Sequence, residues 1–156
     1  MKLVNESKGV WQFLLNQNEA DILRGLAKKF PFTEDVHIHI SKTDRDPKAD
    51  EREKLLNESL AEHRKELKRL AVDILAGEKW KQSEKGCILT LKSESREILL
   101  QILNDIRIGC WRKLGEPEAV ELRTRPQSNQ AQAYRNLMGL DGYFEQKLLE
   151  LDKLSL

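Results

Sequence analysis

Three histidines, His37, His39 and His63, are the residues best suited to hold a metal. His37 and His39 stand two apart in an alternating segment, so both imidazoles leave one face of a strand and can reach one cation. His63 would complete the three-nitrogen set of a catalytic zinc. Two features oppose this. His63 falls in a helical apolar stripe, where a histidine serves packing, and Val36, Ile38 and Ile40 turn His37 and His39 to solvent if they face the core. No metal and no cofactor is therefore expected. The stretch Asp44-Arg45-Asp46-Pro47 opens like a calcium loop but lacks the turn glycine and the distal glutamate. Cys87 and Cys110 read as small buried hydrophobes rather than a redox pair. There is no Gly-x-Ser-x-Gly elbow and no phosphate-cradling glycine loop, so no catalytic residue is assigned and the chain reads as non-enzymatic.

Binding chemistry is more promising in one apolar segment. Asn104, Asp105 and Arg107 interrupt the run from Ile98 to Trp111, and Asn104, Arg107 and Trp111 share a helical face. A partly buried arginine needs a carboxylate, and Glu19 is a candidate. These five residues, Glu19, Asn104, Asp105, Arg107 and Trp111, are the candidate binding set, with a structural network between two helices as the plainer reading. Trp80 or Trp111, if exposed, could anchor a partner. Basic clusters at Arg64, Lys68 and Arg69, and at Arg123 and Arg125, could touch phosphates. Interleaved Glu62, Glu66 and Glu121 favour a solvated salt-bridge surface instead.

These residues must be positioned by elements that the spacing predicts. Leu3-Val4-Asn5 and Val10 to Leu14 flank a polar turn and read as a hairpin. Asn16 precedes Glu19 by three, a capping-box spacing, and opens a helix over about 17–30 that Pro31 stops. A short strand is expected at 35–40 and a mobile loop at 41–50. Leu56, Leu60, His63, Leu67, Leu70 and Ile74 make a helical stripe over about 49–76, closed by Gly77. Gly86 to Leu91 reads as a strand. Ser93 is placed to cap a helix over about 94–114, striped by Leu99, Ile102, Leu103, Ile106 and Cys110 and ended by Gly115. A last helix spans about 129–152, with Leu137, Leu140, Phe144, Leu148 and Leu151 inward and Gly139 and Gly142 as points of weakness.

Composition sets the outer limits. At 156 residues the chain is expected to be one domain, and Leu, Ile, Val and Phe exceed a quarter of it, enough for a packed core. Leucine dominates and β-branched residues are few, which favours helices. The 27 basic and 26 acidic residues leave a net charge of +1, with no global pull toward nucleic acid or anionic lipid. No signal-peptide pattern or membrane-spanning run is read, and two cysteines are too few for a disulfide scaffold, so a cytoplasmic location is expected.

The segment Leu103-Asn104-Asp105-Ile106-Arg107-Ile108, with Arg112-Lys113-Leu114-Gly115, resembles the Leu-Asn-Asp-Leu-Arg-Leu…Arg-Leu-Gly segment of a bacterial family catalogued as domain of unknown function two thousand and seventeen. Glu19-Ala20-x-Ile22-Leu23-x-x-Leu26 is similar to its first helix, and Leu140 to Leu148 to its closing helix. The resemblance covers about a third of the chain. It implies a cytoplasmic regulatory or protein-quality role, since genes of that family often lie near the gene for the Clp protease adaptor. The His37–His39 strand and the 41–50 loop have no counterpart in it.

The expectation is an α-rich α+β domain, a bundle of about four helices with short edge strands near 3–14, 35–40 and 86–91. Its expected role is a non-enzymatic regulatory or adaptor-type protein–protein interaction module, binding a protein partner or a second copy of itself. The alternatives are a nucleic-acid-associated transcriptional or stress regulator and, behind it, a small metal-dependent hydrolase on the three histidines.

Overall fold

A computed structural model describes residues 1–32, 48–118 and 128–150. Among these lie four α-helices and a four-stranded antiparallel sheet, an α-rich α+β architecture. The order along the chain is β1 (Lys2–Ser7), β2 (Val10–Leu15), α1 (Gln17–Ala27), α2 (Ala49–Leu75), β3 (Trp80–Ser83), β4 (Gly86–Lys92), α3 (Ser93–Lys113) and α4 (Asn129–Leu149). A 3₁₀ turn, Gly77–Lys79, links α2 to β3. The strand expected at 35–40, most of the 41–50 loop, and Arg123 and Arg125 lie outside the described residues.

The strands expected at the two separate places join in one sheet of order β1-β2-β4-β3. Lys8 and Gly9 both have positive φ, as a two-residue turn matched to strand twist requires, and they close the β1–β2 hairpin. Leu3 and Asn5 flank a bulge in β1. The central pair joins distant segments: Trp11 faces Leu91, Phe13 faces Leu89 and Leu15 faces Cys87. Phe13, Leu15, Cys87, Leu89 and Leu91 are all buried, so the period-two alternation turns one face of the sheet into the core. Gly86 has φ +138, and a Cβ there would stand 2.1 Å from the Leu15 carbonyl oxygen. Only glycine permits this close approach of β2 and β4.

β3 was not expected from the sequence. Lys81 and Gln82 give it no alternation, and its one buried anchor is Trp80, 8% exposed. That position also corrects the idea of Trp80 as an exposed anchor. Its indole N–H donates to the Ile74 carbonyl at 2.9 Å, which satisfies the polar atom inside the core, and the Arg24 guanidinium stacks 4.2 Å from the ring.

Helix α1 starts as expected. The Asn16 side chain accepts from the Glu19 N–H at 2.9 Å, and Glu19 accepts from the Asn16 N–H at 2.9 Å. Helix α3 begins at Ser93, and the capping position belongs to Lys92, whose side chain makes no cap bond. Its C-terminus is closed where the Glu116 N–H reaches the Trp111 carbonyl and the Gly115 N–H reaches that of Arg112. Ile102, Leu103 and Ile106 are fully buried, each contributing about 1.5–3 kcal/mol, and α3 touches all three other helices and β4. Helix α4 runs unbroken through Gly139 and Gly142.

The α2 stripe needs correction. Leu67, Ala71 and Ile74 are buried, but Leu56 is 40% exposed and His63 is exposed. Periodicity reports which face of a helix is apolar and says nothing of how far its neighbours extend along it. Only the last third of α2 carries buried residues.

Candidate functional site

Helices α3 and α4 pack side by side in opposite directions. The Arg96 Nε donates to the Leu148 carbonyl at 2.9 Å near one end, and Trp111 and Met138 share a groove near the other. Between them sits a polar cluster in an apolar seam. Arg107 reaches across to Glu145, Nε to Oε2 at 3.5 Å, and its Nη2 donates to the Asn104 Oδ1 at 3.0 Å. The arginine thus finds the carboxylate that its position demands, but on α4. Glu19 is engaged elsewhere, with the Met1 ammonium and with the Tyr143 hydroxyl, which donates to it at 2.5 Å. These bonds outweigh burial, which acts to raise its pKa, and hold the Glu19 carboxyl below its ordinary value. The same bond pushes Tyr143 up to about 12.

Asp105 also has a separate task. Its Oδ2 accepts from the Phe32 N–H at 2.8 Å, fixing the chain just beyond α1, where the Phe32 ring meets Tyr134 edge-on at 6.3 Å. The candidate set therefore divides. Asn104, Arg107 and Trp111 come together, while Glu19 and Asp105 each secure a different joint of the fold.

The surface beside the cluster is a half-open groove of about 240 Å³ lined by Arg107, Ile108, Trp111 and Met138. Ile108 is 37% exposed. The Trp111 indole N–H donates to the Pro117 carbonyl at 3.1 Å, which holds the ring as a fixed wall. Arg112 and Lys113 are exposed at the same end of α3. A larger cleft of about 380 Å³ lies where the ends of α2 and the sheet meet α3. There Lys79 and Lys92 face Asp73, Glu78 and Glu94, so opposite charges offset one another, and Lys79 already donates to the Ser95 hydroxyl at 3.3 Å.

Behind the groove lies a residue that the sequence reading missed. Asp141 on α4 is 0% exposed, and neither carboxyl oxygen has a hydrogen-bond partner. Burial pushes its pKa up to about 7, Glu145 adds to the rise, and Arg107 opposes it. Burial likewise raises Glu145 against the pull of Arg107. It also pushes the fully buried Cys110 thiol up to about 11, with Asp141 adding and Lys29 opposing. A signal for Asp141 was present: it stands four residues after Leu137, three before Phe144 and seven before Leu148, a charged residue on a core line.

Other candidates are placed plainly. Cys87 and Cys110 are both free and buried, and the Cys87 sulfur takes an Arg24 N–H at 4.0 Å. His63 is exposed on α2 rather than part of its packed face, while His37 and His39 lie outside the described residues. No group of three or more metal-ligating side chains occurs among the described residues. Arg69 is held by Glu66 at 2.6 Å and Asp73 at 3.7 Å. No described helix is long and apolar enough to cross a membrane. Compared with models of known families, with curated proteins and with solved structures, the chain matches none.

Proposed function

We propose that the chain is a non-enzymatic regulatory or adaptor-type module that docks a protein partner in the α3–α4 groove. The observation carrying this reading is the groove's lining: a fixed tryptophan, an arginine, a methionine and a 37% exposed isoleucine stand together on a rigid helix pair. Tryptophan, arginine and methionine are the types enriched at the centres of protein interfaces. The partner that fits is a segment presenting an apolar side chain beside an acidic one, because Arg107 lines the groove with Ile108, Trp111 and Met138. On this reading the four helices act as a small bundle within one cytoplasmic domain. The resemblance drawn above makes proteins around the Clp protease adaptor the first partners to seek.

The test is affinity capture from the native lysate with wild-type and Ile108→Glu chains, each with and without nuclease. Since Ile108 is partly exposed, a charge there leaves the core intact, which a thermal melt verifies. Partners retained by the wild type after nuclease and lost by the variant are the expected result. Equal capture by both chains overturns the docking site. Loss on nuclease treatment promotes the rival, a nucleic-acid-associated regulator using Arg64, Lys68 and Arg69, whose binding would weaken steeply with salt.

A further inference from the structure

We infer that Asp141 is a proton switch that sets which carboxylate on α4 holds Arg107, and thereby the shape of the α3–α4 groove. The geometry comes first. A carboxyl group that is 0% exposed, with both oxygens lacking any hydrogen bond, is tolerable as a neutral acid and very poorly tolerated as an anion. One helical turn along α4 is Glu145, and the single guanidinium of Arg107 lies 3.5 Å from it. The described groups that face Asp141 are Arg107 and Cys110 from α3 and Glu145 from α4 itself, with Lys29, beyond the end of α1, acting on Cys110. Two acids thus compete for one base, and the cysteine is no rival because its thiol stays protonated up to about 11.

When Asp141 gives its proton to solvent, an unpaired anion is left in an apolar seam. The nearest compensation is Arg107, whose side chain is 47% exposed and has its contacts to Glu145 and Asn104 to give up as it turns. Turning inward, it releases Glu145 and withdraws from the groove it shares with Ile108, Trp111 and Met138. Reprotonation of Asp141 returns it. The midpoint falls near neutrality, about 7, where a small change in pH or in the neighbours tips the balance. This switch follows from the packing of α3 on α4 and stands whether or not the groove docks a protein.

The experiment is a carbon-detected NMR titration of side-chain carboxyls in the labelled full chain, from about pH 5 to about pH 9, with the Trp111 indole N–H followed in parallel. The expected result is an Asp141 midpoint near 7, with the Trp111 resonance moving at the same midpoint. In Asp141→Asn the Trp111 shift disappears. In Glu145→Gln the Asp141 midpoint drops by about half a pH unit or more, because a like charge is removed and Arg107 is released to it. An Asp141 carboxyl titrating below about pH 5 in the wild type overturns the proposal, and this reading needs no variant to fold. So does a Trp111 shift that survives Asp141→Asn, or a midpoint that rises in Glu145→Gln.

Discussion

At the scale of single residues, two carboxyls give the protein opposite responses to pH. Asp141 binds its proton more tightly in the fold than in the open chain, with its value raised from 3.8 to about 7. The stability this confers is complete below 3.8 and declines as pH rises to about 7, by roughly 1.4 kcal/mol per unit. Glu19 runs the other way. Its lowered value means that its contribution is in place above 4.5 and is lost as pH falls below that. Asp141→Asn is therefore expected to flatten the decline toward neutral pH and leave the acid limb untouched. At pH 8 the variant is expected to be more stable by up to about 4 kcal/mol, that slope taken over the rise from 3.8 to about 7, as read from urea unfolding at a series of pH values. Cys110 gives a second residue-scale expectation. With its thiol buried and held protonated up to about 11, iodoacetamide at pH 8 is expected to leave it unmodified in the native protein. Modification of Cys110 at the same rate in native and urea-unfolded protein would contradict the packing described for α3 and α4.

Among the elements, the sharpest expectation attaches to the β2–β4 junction. Gly86→Ala places a methyl 2.1 Å from the Leu15 carbonyl at a φ that side chains rarely adopt. The loss is expected to exceed about 2 kcal/mol in chemical unfolding, and a variant as stable as the wild type would show that the strands can separate there without penalty. This junction also shows which parts of the fold the sequence made legible. Helices α1, α3 and α4 were readable because Leu, Ile and Phe recur on one face and polar residues bound the ends. The hairpin was readable from the polar turn between its two short runs, and β4 from the run Gly86 to Leu91. β3 was not, because four residues with one buried anchor carry too little pattern, and its place is set by pairing with β4 rather than by its own side chains. The α2 stripe was legible as a face but misleading as a core, since His63 and Leu56 satisfy the spacing where little packs against them.

For the molecule as a whole, the candidate site was half visible. Asn104, Arg107 and Trp111 stood out because polar residues interrupt an apolar run, and the fold sets Arg107 and Trp111 along one groove with Asn104 bonded to the arginine. Their partners on α4 could not be chosen from spacing alone: any carboxylate would have satisfied Arg107, and only the antiparallel seating of α4 on α3 selects Glu145 over Glu19. Asp141 has no local signature, since only its place on the line of Leu137, Phe144 and Leu148 sets it apart from a surface carboxylate. One further consequence follows from the pairing of the sheet. β2 finds its central neighbour only in β4, so that Leu15 must wait for Cys87 and Phe13 for Leu89. During synthesis the first hairpin emerges early with its apolar side uncovered, and it stays so until the whole of α2 has followed it out of the ribosome. The order of birth along the chain thus leaves the first hairpin waiting for a central strand that follows only after two helices.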